Sequence, residues 1–449
     1  MISVGCCSKG IAGSCDGRAA SRTSLDLTQM FSLQIEHIAA LIFALALLHT
    51  FSVSYFAALA KSYPKHSGLL HLLSEVEVVF GFWAFILVGA MAVLQGGPAA
   101  LAYAESRKYT EPLFVFVVMV MAASRPVLFA VTQLVNAMAS RVPLPTSLVR
   151  TWMGLAIVPL IGSLITEPAA MTLAALMLAP LVFHAKVPER LKYFTLGVLF
   201  VNVSIGGTLT SFAAPPVLMV ASTWQWDSAW MLLNFGWKSA VAVVINASLA
   251  AYALKPYLQN EPIDIKNSSI APVPFSLVLS HLALLAGVVV LGHYPVAFLG
   301  LFLLFLGVTH AYPKHQNPLV LKEALLVAFF LAGLVVIGGM QQWWLQPLLT
   351  QLSPNALFGS ALGLTAITDN AALTYLGSLI EGLSDEAKYN LVAGAVAGGG
   401  LTVIANAPNP AGAALLKNGF SNGSVKAMGL LKGALIPTAV AALVLKLMP

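Results

Sequence analysis

Residues 366–416, AITDNAALTYLGSLIEGLSDEAKYNLVAGAVAGGGLTVIANAPNPAGAALL, carry the strongest structural signal in the chain. Within an apolar sequence they contain Asp369, Asn370, a triple glycine at 398–400 and a run of asparagines and prolines ending at Pro410. In hydrocarbon each unpaired backbone group costs several kcal/mol, so a broken helix at membrane depth persists only beside protein or a polar cavity. An intramembrane carboxylate is also costly and by default marks an ion or substrate path. The stretch therefore predicts a broken helix beside a polar site.

An earlier part of the chain repeats this pattern. ITEPAAMT at 165–172 aligns without a gap with ITDNAALT at 367–374. Downstream, GGTLTSFAAPP at 206–216 parallels GGGLT at 398–402 and NAP at 406–408. Two interrupted, acid-bearing apolar segments in corresponding positions of two halves indicate the binding site of a transporter.

The composition places the whole protein in a membrane. Of its 449 residues 59% are hydrophobic and only 9% charged, and the mean hydropathy is +0.86, whereas soluble proteins have about 25% charged residues. The net charge of +6 does not call for a nucleic-acid partner, because most Lys and Arg residues lie in short loops that set topology. The three cysteines all lie in the first fifteen residues, so we expect no disulfide framework or metal cluster in the core.

The apolar runs and their interruptions divide the chain into two units of the same plan. Each unit has three helices, a re-entrant hairpin, a broken helix and a closing helix. The polar residues 1–29 are expected to form a disordered tail. The expected segments are repeat 1 at 30–254 (hairpin 151–182, broken helix 191–224), a linker at 255–274, and repeat 2 at 275–449 (hairpin 344–380, broken helix 388–417).

Loop charges predict opposite orientations for the two units. Arg150 and Lys186 flank the first hairpin, which places both of its ends in the cytoplasm. Glu381 and Asp385 flank the second, as is typical of an outer loop. The predicted fold class is therefore an all-α integral membrane protein of two inverted repeats with re-entrant hairpins and broken transmembrane helices. A plain bundle of unbroken spans remains the alternative.

Three motifs resemble the ion transporter superfamily, and within it the sodium/proton antiporter branch. They are Thr-Glu-Pro at 166–168, Thr-Asp-Asn at 368–370 and Gly-Gly-Leu-Thr-Val-Ile-Ala-Asn-Ala-Pro-Asn-Pro at 399–410. The resemblance implies hairpin tips that meet broken helices near the membrane midplane, an outer scaffold, elevator-like motion and, in many members, a homodimer. The dicarboxylate carriers of this superfamily have neutral Ser-Asn-Thr motifs at the tips, whereas this chain has Glu167 and Asp369, which argues against carboxylate transport.

Glu167 and Asp369 are the main candidates for transport chemistry. Burial and a nearby like charge disfavour two ionised carboxylates, so the site is expected to take either protons or a small hard cation, and that competition suffices for antiport. The alternative is that each acid caps a helix N-terminus, where the helix dipole favours negative charge. Further oxygen ligands are expected from Asn370, Asn406, Asn409, Thr166, Thr368, Thr402, Thr210 and Ser211.

Two other groups of residues have expected structural roles. Glycines at the breaks are expected to let the chain unwind towards an ion, although close helix packing is the alternative; they are Gly206, Gly207, Gly398, Gly399 and Gly400. Arg125 lies within an apolar run, where a lone charge is costly, so it is expected to form a structural ion pair with Glu75 or Glu77.

The predicted function is secondary active exchange of a monovalent cation, chiefly Na+, for protons in the bacterial plasma membrane. Sodium at the transport site is the only expected metal, and no cofactor is expected. A sodium-coupled anion or carboxylate symporter is the alternative within the superfamily. An intramembrane enzyme lacks a recognisable nucleophile–base or metal motif, and a non-transporting scaffold would leave both acids without a role.

Overall fold

The computed structural model describes residues 17–258, 272–421 and 423–448, with side chains from Ile35 onward except Ser54. These residues form α-helices and short 3-10 or π turns, without a β-strand among them. Within the described part of the chain, six helices are long and apolar enough to cross a membrane. Their spans are Ile35–Val53, Val76–Gln95, Glu189–Leu209, Ser228–Tyr257, Leu321–Gly338 and Ala427–Leu447. The prediction of an all-α, multi-pass membrane protein is confirmed.

The first third of the chain contains six helices, and one predicted span is bent. The apolar run around Arg125 is not one straight helix, because the chain turns by 64° between Ala122 and Arg125, immediately before Pro126, which cannot continue a helical hydrogen-bond ladder. The helices are α1 (Gly17–Ser62), α2 (Ser67–Leu73), α3 (Val76–Gln95), α4 (Gly97–Glu105), α5 (Thr110–Ala122) and α6 (Arg125–Ala139).

The next seven helices contain the first hairpin and the first broken helix. The helix ending at Ile165 is followed after one residue by a helix that packs back along it and along the helix before it. A break at 210–214 then interrupts the helical path. The helices are α7 (Thr146–Leu155), α8 (Ile157–Ile165), α9 (Glu167–Val182), α10 (Glu189–Gly206), α11 (Pro215–Trp224), α12 (Ser228–Met231) and α13 (Trp237–Leu254).

The other nine helices of the described residues contain the second tip and the second break. A tip at 366–369 separates two helices, and a longer break at 399–408 interrupts the next helical path. The helices are α14 (Phe275–Val290), α15 (Pro295–Ala311), α16 (Leu321–Gly338), α17 (Gln342–Leu349), α18 (Pro354–Thr365), α19 (Asn370–Ser378), α20 (Asp385–Gly398), α21 (Asn409–Leu416) and α22 (Ala427–Leu447).

The helices pack into two groups, which we call the scaffold group and the hairpin group. The scaffold group comprises α1–α6 and α14–α16, and its centre is the crossing of α3 and α16. At that crossing a Cβ atom on Gly333 would overlap the backbone of Gly81. The hairpin group comprises α7–α13 and α18–α22. Helices α5, α6 and α16 of the scaffold group contact it at α7, α8, α9, α11 and α19, and α17, which belongs to neither group, packs on α19.

Within the hairpin group, helices from one half of the chain pack on helices from the other half. The second arm of the first hairpin, α9, packs on α21, which follows the second break. The second arm of the other hairpin, α19, packs on α11, which follows the first break. The second arm of each hairpin thus packs on the helix that follows the break of the opposite half.

Two predicted segments lie partly outside the described residues. Residues 1–16 of the expected tail at 1–29 lie outside the described residues, and α1 begins at Gly17. Of the predicted linker, 259–271 lie outside the described residues, and Lys255–Tyr257 form a 3-10 turn after α13.

Candidate functional site

The tip of the first hairpin is a single strained residue. Thr166 has φ 92° and ψ 150°, a left-handed conformation that is unusual for a β-branched residue and costs about 1–3 kcal/mol. Its N–H donates to the Gly162 carbonyl at 2.7 Å, and its carbonyl accepts from Ala170 N–H at 3.1 Å. This tight connection fixes Glu167 as the first residue of α9.

Glu167 is completely buried, at 0% exposure. Its Oε2 accepts a hydrogen bond of 2.8 Å from Asn406 Nδ2, across the two halves of the chain. Its Oε1 is also buried and accepts no hydrogen bond, and a Cβ atom on Gly207 would lie 2.6 Å from it. The carboxylate is therefore held by one amide, with its other oxygen free for a further partner.

The tip of the second hairpin has a different geometry. Asp369 caps α19, because its Oδ1 accepts from the N–H groups of Ala371 at 2.8 Å and Ala372 at 3.3 Å. The capping alternative thus describes Asp369, whereas Glu167 is bonded by a side-chain amide. The two carboxyl groups lie near enough to repel each other when both are charged.

Asn370 fastens this tip to both broken helices. Its backbone N–H donates to the Ala405 carbonyl at 3.1 Å, in the second break. Its Nδ2 lies 3.4 Å from the Ser204 hydroxyl of α10. Ser204 in turn donates to the Val396 carbonyl at 2.8 Å. The tip is consequently placed by polar contacts with both halves.

The second break is held open by its own side chains. Asn409 Nδ2 donates to the carbonyls of Gly399 at 2.7 Å and Thr402 at 2.9 Å. The Thr402 hydroxyl donates to the Ala366 carbonyl at 2.9 Å, which links the break to the hairpin tip. These bonds satisfy carbonyls that an intact helix would have paired internally.

Five buried oxygen atoms of these residues have no hydrogen-bond partner. Nearly all buried polar atoms in proteins are hydrogen-bonded, so this concentration is unusual. Carboxylate, amide and hydroxyl oxygens are the ligand types that hard cations take. Groups of three or more His, Cys, Asp or Glu that could hold a metal are absent from the described residues, so the amides are essential to this set. The atoms are Glu167 Oε1, Asn370 Oδ1, Asn406 Oδ1, Asn409 Oδ1 and Thr166 Oγ1.

The first break contributes fewer unpartnered buried oxygen atoms than the second. The Thr210 hydroxyl donates to the Ser163 carbonyl at 2.7 Å, and the Ser163 hydroxyl donates to the Gly206 carbonyl at 2.6 Å. Ser211 bonds to Ser228 and lines a separate cavity of about 640 Å³. Thr368 is half-buried at the other tip. Ser211 is thus the predicted ligand that the structure places apart from the buried acids.

The glycines at the breaks pack closely against neighbouring elements. A Cβ atom on Gly206 would lie 2.6 Å from the Pro159 carbonyl oxygen, and one on Gly398 would lie 2.6 Å from the Leu362 carbonyl oxygen. Gly399 would contact the Ser204 hydroxyl, and Gly400 the backbone of Val201. Among the described residues the glycines with positive φ are Gly96, Gly382 and Gly423. Close packing therefore accounts for these positions, and the hinge role stays a prediction.

The predicted pairing of Arg125 with Glu75 or Glu77 differs from the structure. The bend before α6 carries Arg125 to a helix start, where its Nη1 donates to the Lys314 carbonyl at 3.3 Å. Glu75 instead lies 3.9 Å from Lys322. Glu77 lies within electrostatic range of Asp369.

Sequence reasoning missed Ser163 and Ser204. Both are small hydroxyl residues inside apolar helical runs, where such residues commonly serve helix packing. Their proximity to a tip or a break is the sequence signal that could have identified them. Ser163 lies three residues before Thr166, and Ser204 lies two residues before the paired glycines at 206–207.

The sequence profile of the family described as "Putative Na+/H+ antiporter" matches residues 34–448, which is nearly the whole chain. A search of curated proteins found no match.

Proposed function

The chain belongs to this Na+/H+ antiporter family, and from that premise we propose that Glu167 and Asp369 bind Na+ and protons in turn at one buried site. The observation that carries the proposal is Glu167 itself. It is completely buried. One of its oxygens accepts a hydrogen bond from Asn406, and the other is buried without a hydrogen-bond partner, as are several amide oxygens of the site.

Charge balance explains why this site exchanges its two ligands. A buried carboxylate without a neutralising partner is strongly unfavourable. A proton neutralises the carboxylate directly, whereas Na+ neutralises it through oxygen coordination. Na+ and a proton compete for the same carboxylate oxygens, so loading one ligand favours release of the other. Asp369 adds a second negative charge within range, which increases the need for a cation or proton.

The oxygen set supports Na+ as the cation. Four of the unpartnered atoms belong to Glu167, Asn370, Asn406 and Asn409, and the fifth is the hydroxyl of Thr166. All are hard oxygen ligands, without the thiolate or imidazole that transition metals favour. Asp369 keeps Oδ2 available while Oδ1 caps α19.

We propose that access alternates by an elevator-like displacement of the hairpin group along the scaffold group. Most helix packing lies within each group, and α5, α6 and α16 carry contacts between them. Helix α9 of the first half packs on α21 of the second, and α19 of the second half packs on α11 of the first. This packing between the halves supports two repeats that share one site. The loop charges support opposite orientation of these repeats. A plasma-membrane location and a homodimer complete the proposal, both resting on the family resemblance.

The test uses the purified protein in vesicles with an acidified lumen and a pH-sensitive dye. Addition of Na+ outside is expected to alkalinise the lumen of wild-type vesicles. Glu167→Gln and Asp369→Asn should each reduce this signal at least about tenfold, since each replaces a group proposed to carry the exchanged charge. Matched controls are Glu386→Gln and Asp385→Asn, which lie exposed at the start of α20 and should exchange normally.

Two results would contradict the proposal. Normal exchange by both Glu167→Gln and Asp369→Asn would remove these acids from the transport path. Absence of any response of the wild type to Na+, Li+ or K+ would refute cation exchange, and sodium-dependent uptake of small carboxylates would then be measured.

A further inference from the structure

A cavity lined by carboxylates lies between the scaffold group and the hairpin group. The cavity has a volume of about 360 Å³. On the scaffold side it is lined by Glu75, Glu77 and Glu323, and on the hairpin side by Pro168, Ala407 and Pro408. Pro168 follows Glu167 and Ala407 follows Asn406. The cavity therefore ends beside the hydrogen-bonded pair at the centre of the proposed site.

Glu77 differs from the other acids that line this cavity. Glu323 is exposed, and Glu77 is half-buried. Glu75 is paired with Lys322 at 3.9 Å, with side-chain exposures of 43% and 75%, so that pair is solvated. Neither of the ion pairs identified among the described residues includes Glu77. Glu77 and Asp369 are close enough for their charges to interact.

The surroundings of Glu77 define which groups could share its charge. Glu75 lies just before the first residue of α3. Helix α1 packs on α3, and between His49 and Lys61 it contains no carboxylate or cation. The remaining titratable or charged groups on elements packed near this end are His71 on α2, Lys322 and Glu323 on α16, and Asp369 at the hairpin tip.

We propose that Glu77 is a proton relay between this cavity and the carboxylates of the transport site. This inference rests on the proposed exchange of Na+ for protons. Glu77 takes a proton from the aqueous cavity and gives it to the carboxylate that Na+ has left, so Glu77 returns to its charged form and that carboxylate becomes a neutral carboxyl group. In the opposite direction each transfer reverses. Because Glu77 lies on the scaffold group, it serves the site only while the hairpin group is in this position.

The test compares Glu77→Gln and Glu77→Asp with Glu323→Gln, an exposed acid of the same cavity. Na+-evoked proton movement is measured in reconstituted vesicles from acidic to alkaline pH, and Na+ binding is measured separately as Na+-dependent thermal stabilisation. Glu77→Gln should bind Na+ yet exchange at least about tenfold more slowly, a smaller loss than the about 100-fold or more that a positioned proton-transfer group contributes. The loss should deepen towards alkaline pH, where free protons are scarce. Glu77→Asp and Glu323→Gln should exchange close to the wild-type rate.

A small weak acid provides the decisive readout. Formate added on the cavity side should restore exchange by Glu77→Gln, because formic acid can enter the cavity and deliver a proton in place of the missing carboxyl group. A wild-type pH profile in Glu77→Gln would overturn the inference. A rate loss that is equal at all pH values, unaffected by formate and shared by Glu77→Asp would also overturn it, since a structural role explains that pattern. If wild-type protein moves no protons with Na+, the proposed function fails and this inference fails with it, whereas the other two results leave exchange at Glu167 intact.

Discussion

Replacement of Asn406 by leucine should weaken Na+ binding without preventing folding of the protein. Asn406 Nδ2 donates the 2.8 Å hydrogen bond to Glu167 Oε2, and its Oδ1 is a buried oxygen without a partner. Leucine has a similar volume but neither group. A hydrogen bond to a charged group contributes about 1.5–3 kcal/mol. Since about 1.4 kcal/mol corresponds to a tenfold change in an equilibrium constant, the half-maximal Na+ concentration should rise roughly 10- to 100-fold.

Two measurements read this change independently. The first is the Na+ concentration that gives half-maximal exchange in vesicles. The second is thermal unfolding with and without Na+, because a ligand that binds only the folded protein stabilises it by about 2.7 kcal/mol at 100 times its dissociation constant. At a Na+ concentration that saturates the wild type, Asn406→Leu should lose most of this added stability.

Asn246→Leu is the matched control for this substitution. Asn246 is also buried in the hairpin group, but its Nδ2 donates to the neutral acceptors Asn202 Oδ1 at 3.0 Å and the Pro437 carbonyl at 3.2 Å. Its replacement should lower stability with and without Na+ alike and leave the half-maximal Na+ concentration unchanged. An unchanged Na+ dependence in Asn406→Leu, with the protein folded, would refute the assignment of Asn406 to the site.

Two glycine substitutions test the close approaches in the structure, with Gly359→Ala as the control for both because nothing lies within 4 Å of a Cβ atom there. Gly207→Ala should reduce Na+ exchange at least about tenfold while the protein stays folded, since the new methyl group would lie 2.6 Å from Glu167 Oε1; exchange at the rate of the control would contradict this. Gly333→Ala should lower the unfolding temperature, because overpacking against the Gly81 backbone costs about 1–3 kcal/mol; an unfolding temperature equal to the control's would show that the crossing relaxes.

Local sequence was sufficient to locate the tips and the breaks. Thr166 and Asp369 lie at positions where acid, proline or asparagine residues interrupt apolar runs, and the structure ends or begins helices there. The breaks at 210–214 and 399–408 likewise lie inside the two segments that were predicted to be broken. Helix interruption depends on residues within a few positions of the break, so the sequence carries this information directly.

Long-range placement could not be obtained in this way. Arg125 was predicted to lie mid-span, because hydropathy averages over a window and does not register a bend of 64° between two apolar helices. Ser211 was grouped with Thr210 by sequence proximity, but the chain turns between them and Ser211 faces Ser228. The orientation of a side chain in irregular backbone depends on tertiary contacts, which periodicity does not describe.

The partner of Glu167 was only partly predictable. Asparagines at 406 and 409 were expected to supply oxygens, and their position in the second break indicated that role. The structure adds that the nitrogen atoms of these amides make the hydrogen bonds, to Glu167 from Asn406 and to two backbone carbonyls from Asn409. A single sequence names the residue types, whereas which atom faces which partner depends on the folded arrangement.

The exchange of contacts between the two halves also has a consequence for biosynthesis. Glu167 and Asn406 are 239 residues apart, so the ribosome completes α9 and α10 long before it reaches the amide that holds the Glu167 carboxylate. The first half therefore enters the membrane with a buried acid that has not yet met its donor, and α21 is still to be made. Contacts at such separation form late in folding. We expect the N-terminal half to wait in a loosely packed or partly hydrated state, protected by the insertion machinery, until the C-terminal half arrives.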